Sequence, residues 1–435
     1  MADVVIVVPG TLGSVLELHG AVIWPGRLRD LHGRFNRMAE LKDPAIEATD
    51  LIRSYFVEQY GSLIRDLEEL GYHEHGRPKT LWLCPYDWRK SNLLAADVLA
   101  SVIDRAAAAN PGKSIALIAH SMGGLISRCY LESGDYAGRA GFQAVTNLFT
   151  LGTPHRGATD ALFAIKGWLR KLFLAPDQVA ELAADPRFPS VYELLPPPGE
   201  PFAHDGEMKP LDIYDPAVAG PLGLSAANLA AARSFRAKLD LSRRPAEVRY
   251  FFFAGTRDET ITAAWLRDTG AGIQEDRELR DGGGDGTVPI WSAIESGVQS
   301  SIVGAPHGTI YKDRDLRRKL GLLLGRPGVL AAAMGRQLEL FVVSDVVPPE
   351  STIAVSLHFS EPVPRIGASL RFVEVDEMGE PAAGGVITPP VAVDYAGAPL
   401  DRLTVRLITP ALSGFYRLEA DAGEMNARQR IIVQD

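Results

Sequence analysis

Residues Ile115–Gly124, IALIAHSMGG, change character in mid-run. Ile115 to Ala119 is a short apolar run of the kind that makes a buried strand, and helix-forming residues follow Ser121. Small residues stand two positions before the serine (Ala119) and two after it (Gly123). A sharp strand-to-helix turn crowds both flanks, so glycine is usual at each, in the pattern G-x-S-x-G. Here alanine, the next smallest side chain, holds the first. A serine that merely caps a helix needs no small residue on either side. The stretch therefore predicts a hydroxyl lifted off the end of a core strand, and asks where a base and an acid lie.

Outward from this turn, short apolar runs alternate with helical stretches as far as about residue 325. The predicted strands are Val4–Val8, Thr80–Cys84, Ser114–Ala119, Val145–Leu151, Val248–Ala254 and Ser301–Val303. Between them a helix is expected over Ser91–Ala109, capped by Ser91. Near-continuous apolar strands alternating with helices imply a mostly parallel sheet covered on both faces. Residues 158–246 interrupt the rhythm as a cap or lid, with a strongly apolar helix over Asp160–Ala175 and another helix capped by Ser225. From Leu338 to Asp435 seven short alternating runs appear, among them TIAVSLHF, SLRFVEV and GFYRLEA. They predict a small β-sandwich of immunoglobulin-like size. The expected division is thus a catalytic domain over 1–337 and an accessory β-domain over 338–435.

Composition bounds the chemistry. The 435 residues suffice for more than one domain. A net charge of −9 gives no basic face for nucleic acid. No run of 18 apolar residues predicts a spanning helix. The start, Met1-Ala-Asp-Val-Val, has neither a basic n-region nor a cleavage site, so a cytoplasmic location is expected. Cys84 and Cys129 are expected to be buried, reduced, small apolar residues.

A nucleophilic serine needs a base. Of nine histidines His307 is best placed, in APHG just after the last predicted strand. His120 is expected to point away from the hydroxyl, and His155 to be a hydrogen-bonded structural residue. The order Ser…acid…His is that of α/β-hydrolases, the fold expected here. Two acids fit: Asp258 directly after the penultimate strand, and Asp285 in the glycine-rich Gly282–Pro289. Spacing does not choose between them. The turn Pro9–Ser14, PGTLGS, and the N–H of Met122 would supply oxyanion donors.

PGTLGS, then PYDWR (85–89), AHSMGG, GTPHRG (152–157), PSVYELLP (189–196), GDGTVP (284–289) and APHG occur in this order. Together they resemble the lecithin:cholesterol acyltransferase family, which includes lysosomal phospholipase A2 and phospholipid:diacylglycerol acyltransferases. The resemblance covers roughly residues 4–315. It implies Ser121 as nucleophile, Asp285 as acid, with Asp258 as the fallback, and His307 as base. It also implies Thr11 and Met122 as oxyanion donors and Trp24 near the acyl site. Asp87 and Arg89 are expected to form a structural pair. The chain departs from secreted members in having no cysteine near residues 20–60 to staple a lid.

Leu162, Phe163, Ile165, Trp168, Leu169, Leu172 and Phe173 would give the Asp160–Ala175 helix a broad apolar face opposite Lys166, Arg170 and Lys171. Two uses are expected of it: lying in a membrane interface, or packing as a cap helix that lines an acyl pocket with Trp168. Both favour an apolar substrate. The expectation is a serine hydrolase or acyltransferase on lipid esters, with no metal or organic cofactor. The alternatives are an esterase, thioesterase or amidase on a soluble or lipid-modified substrate, or a binding protein whose β-domain docks a partner.

Overall fold

Six of the predicted apolar runs form one sheet. Its strands are β1 (Val4–Val8), β2 (Leu81–Leu83), β3 (Ile115–His120), β4 (Val145–Leu151), β5 (Arg249–Gly255) and β6 (Gln299–Val303). They lie in the order β2-β1-β3-β4-β5-β6, and every neighbouring pair is parallel. In this computed structural model the described residues are 2–26, 34–53, 60–256, 258–268, 273–326, 338–342, 346–376 and 379–434. The fold is an α/β-hydrolase sheet with helices.

Every residue of β1 is fully buried, as a strand covered on both faces requires. Val5, Val7, Ala116, Ile118, Phe149, Leu151 and Phe253 alternate onto one face. Leu63 and Leu67 of the helix Gly61–Glu69 and Leu316 and Leu320 of Arg314–Leu323 pack against them. Helix α1 (Asn92–Ala109) is capped by Ser91, whose Oγ accepts from Leu93 N–H at 3.2 Å. Helix α2 (Met122–Glu132) starts directly after Ser121 and is buried along its length. Both cysteines are free and buried.

The cap differs from expectation in two ways. The helix predicted over Asp160–Ala175 ends at Ile165. Gly167 then takes φ +69°, a left-handed conformation that stops helices, and a new helix starts at Pro176. Leu162, Phe163 and Ile165 are spent inside the cap's own core, with Trp168 and Leu169 packed partly against it. Lys171 pairs with Asp160, and Lys166 donates to the Leu222 carbonyl. The amphipathic helix expected to lie in a membrane interface is therefore absent.

The second difference is a hairpin, Asp258–Asp268 with Ile273–Gly284, that the sequence reading passed over. Its first strand pairs with Ala203–His204 of the cap, and Ile261, Ala264 and Leu266 join the cap core. Cap structure thus extends beyond residue 246 and runs directly into Asp285. No helix among the described residues is long and apolar enough to cross a membrane.

The chain divides into two compact units. One is Met1–Pro25, Arg37–Arg53 and Gln59–Leu330; the other is Gly26–Asn36, Ser54–Glu58 and Ala331–Asp435. The boundary expected at 337/338 falls at the edge of residues 327–337, which lie outside the described residues. In the second unit the predicted runs TIAVSLHF and SLRFVEV are two halves of one strand, Thr352–Glu374. Register shifts between His358 and Arg365 bend it. Its first half pairs with Leu338–Val342 and its second with Gly414–Ala422, while Val391–Ile408 pairs along both. The sheet curls on itself around Val355, Leu357, Leu370, Tyr416, Leu418 and Ile431.

Candidate active site

The carboxyl ends of the parallel strands open onto one place, where open α/β sheets keep their sites. Ser121 stands between β3 and α2 with φ 53° and ψ −125°, and is 8% exposed. Such a backbone is strained for a residue with a side chain. Tight packing beneath it demands Gly123: a Cβ there would lie 2.4 Å from the Pro9 carbonyl oxygen and 2.5 Å from that of Val8.

His307 follows β6, and its Nε2 lies 2.9 Å from Ser121 Oγ. Nδ1 lies 2.8 Å from Asp285 Oδ2. With Asp285 ionised, Nδ1 carries the hydrogen and Nε2 accepts from the serine. Asp285 is buried, and its other oxygen accepts from Val288 N–H at 2.7 Å and Thr287 N–H at 3.1 Å. The His307 N–H donates to the Asp285 carbonyl at 2.7 Å, so the two residues are tied twice. Gly152, with φ +59°, borders both: a Cβ there would meet Asp285 Oδ2 at 2.8 Å and His307 Nδ1 at 3.2 Å. Asp258, the other candidate acid, heads the hairpin, where its backbone pairs with Gly284. Its side chain lies outside the described residues.

Thr11, on the turn after β1, and Met122 are neighbours, Thr11 Oγ1 lying 3.4 Å from Met122 Sδ. Trp24 is fully buried, and its Nε1–H donates to the Leu12 carbonyl at 2.9 Å. It stacks edge-on to Trp88 and tilts against Phe173 of the cap. Trp24 thus braces the Pro9–Ser14 turn. Trp168 lies edge-on to Phe163 within the cap, 5.4 Å between ring centroids. Residues 27–33 and 54–59, within the stretch where secreted members staple a lid, lie outside the described residues.

Around these residues lie further hydrogen-bonding partners, of which Tyr60 and Glu193 were not expected from the sequence. His120 is buried with Nδ1 2.9 Å from Tyr60 Oη and Nε2 3.0 Å from the His307 carbonyl. Burial holds it down to about 3, so it stays neutral. Glu193, inside PSVYELLP, is fully buried and accepts from Ser91 Oγ and Asn92 N–H, both at 2.6 Å. His155 is buried between Thr150 and Arg128 and stacks on Phe252. Arg89 grips Asp87 with two nitrogens, at 2.8 and 2.7 Å. Among the described residues no group of three His, Cys, Asp or Glu is placed to hold a metal.

Residues 43–214 match the family model of lecithin:cholesterol acyltransferase. Over these residues the chain is similar to the lecithin:cholesterol acyltransferase family. The match takes in Ser121 and the PSVYELLP segment. A curated relative, lecithin-cholesterol acyltransferase-like 4 of Arabidopsis thaliana, is 25% identical over 301 residues, which are 56% of this chain and 55% of that protein. The chain thus spans about half the length of that relative. Among solved structures, the Tle4-Tli4 complex matches 76% of this chain and 99% of its own at 16% identity and a TM-score of 0.53. That likeness speaks to the fold alone.

Proposed function

We propose that this protein is a serine acyl hydrolase or acyltransferase acting on lipid esters. The observation that carries the reading is the unbroken line of hydrogen bonds from Asp285 through His307 to Ser121 on a strained strand-to-helix turn. Ser121 Oγ attacks the ester carbonyl as its proton passes to His307 Nε2. Asp285 keeps the other ring nitrogen protonated and stabilises the imidazolium. The N–H groups of Thr11 and Met122 hold the oxyanion of the tetrahedral intermediate. Collapse expels the alcohol, which takes the proton from His307, and leaves an acyl-serine. Water or an acceptor alcohol then repeats the steps in reverse. The lipid class of the substrate is supported by the acyltransferase family match and by the apolar cap.

The deciding experiment is product analysis by mass spectrometry after incubation with mixed phospholipid vesicles and a long-chain alcohol, with Ser121→Ala as control. Fatty acid, lysophospholipid or alcohol ester formed by the wild type alone is expected, and the ratio of acid to ester separates hydrolysis from transfer. Equal products from both proteins would sink the reading. Turnover of soluble esters without any lipid product would move the substrate to the soluble class.

A further inference from the structure

Beside Ser121, His307 and Asp285 runs a second row of groups that the mechanism leaves unused. The Gly10 N–H, on the turn after β1, lies 2.7 Å from Tyr60 Oη. Tyr60 Oη lies 2.9 Å from His120 Nδ1, and His120 Nε2 lies 3.0 Å from the His307 carbonyl oxygen. Tyr60 is fully buried and His120 is 8% exposed.

The direction of every hydrogen in this row follows from its ends. A carbonyl only accepts, so His120 Nε2 carries the ring hydrogen. A neutral imidazole has one N–H, so Nδ1 accepts, and Tyr60 must donate to it. The phenol oxygen then has a lone pair left for the Gly10 N–H. Each group has a single role, and none is left unsatisfied.

We propose that Tyr60 and His120 are positioning residues for acyl transfer, a clamp that holds the oxyanion turn and the backbone of His307 in register with Ser121. The proposal rests on the triad reading given above. It explains why a loop histidine is held at hydrogen-bonding distance from the serine. The His307 N–H is pinned by Asp285 and its carbonyl by His120, so the ring has little room to drift. Its ring also tilts against that of His120, 4.9 Å between centroids. The clamp bears on the oxyanion turn as well: the Gly10 N–H is engaged by Tyr60, which leaves the oxyanion to the Thr11 and Met122 N–H groups of the proposed mechanism.

A merely structural Tyr–His pair would support the fold and leave the chemistry of folded molecules untouched. The test compares wild type, Tyr60→Phe, His120→Leu and His120→Gln, with Ser121→Ala as control. Sites are titrated with a fluorophosphonate, and kcat and KM are measured on p-nitrophenyl butyrate. A misplacement near 1 Å costs on the order of a hundredfold, so kcat per titrated site should fall about ten- to a hundredfold in Tyr60→Phe and His120→Leu. KM should stay within about twofold, because both residues are buried. His120→Gln, whose amide N–H reaches the place of Nε2, should recover much of the loss.

Nitrogen-15 histidine spectra of the wild type, with His120 assigned by comparison with His120→Gln, should show it neutral and protonated on Nε2. An unchanged kcat per titrated site in Tyr60→Phe, whatever its melting temperature, would make the pair structural and overturn the proposal. An Nδ1–H tautomer would overturn it even if the variants fail to fold. Absence of Ser121-dependent labelling in the wild type would bring down the triad reading, and this proposal with it.

Discussion

Asp285 meets three donors with two oxygens: Val288 and Thr287 N–H on one, His307 Nδ1–H on the other. An asparagine keeps its carbonyl oxygen toward the two backbone donors, which places its amide nitrogen against His307. Two donors cannot face each other, so the imidazole must turn to its other tautomer and present N–H to Ser121. The hydroxyl then has no acceptor for its proton. Asp285→Asn is expected to fold and to lose roughly 10³–10⁴ in kcat, the scale of this tautomer error in serine enzymes. Asp258→Asn should keep most of its activity. Steady-state turnover of a soluble ester, with circular dichroism to show that both variants fold, checks the pair. The reverse outcome would move the acid to Asp258.

At the scale of elements, what could be read in the sequence was whatever depends on local pattern. The apolar runs of β1 and β3–β5 sit within a residue or two of where their composition puts them, because strands buried on both faces admit little else. The serine turn and APHG are short motifs and show themselves in the same way. The cap was misread because its apolar residues recur throughout 160–175, and the left-handed Gly167 and Leu172 break the stretch into a short helix and a turn. The hairpin strand Ile273–Gly284, IQEDRELRDGGG, carries no apolar alternation to announce it.

The pairing of Tyr60 with His120 escaped notice for a different reason: 60 residues separate them, and only the fold joins them. Glu193 is a third case, a carboxylate carried by the short helix Ser190–Glu193 to the N-terminus of α1. Burial pushes its carboxyl up to about 7 from an ordinary 4.5. A raised carboxyl stabilises the fold fully below the unfolded value and loses that contribution as pH rises through about 7. Glu193→Gln imitates the protonated acid, its amide donating to Ser91 Oγ while its oxygen accepts from Asn92. The variant should therefore be more stable than wild type at pH 8, by up to about 3 kcal/mol, with the gap closing toward pH 4.5. Urea unfolding at several pH values measures the gap. A gap that is constant with pH would show that Glu193 is ionised throughout.

For the whole molecule, the question is whether the β-domain takes part in the chemistry. Every residue assigned a role, namely Thr11, Tyr60, His120, Ser121, Met122, Asp285 and His307, belongs to the unit built on the parallel sheet. That unit has its own core across β1 and β3–β6, and the curled sheet has a separate one around Leu357, Leu370 and Tyr416. Two cores that share no residue can each support folding, since a domain needs only enough apolar surface of its own to bury. Deleting residues 338–435 is accordingly expected to leave fluorophosphonate labelling of Ser121 and turnover of a short soluble ester within a few-fold of wild type. Activity on phospholipid vesicles is the contrasting readout. A selective loss there would assign the curled sheet to delivery of the enzyme to its lipid, whereas loss of labelling itself would mean that the catalytic unit needs the β-domain to hold its site.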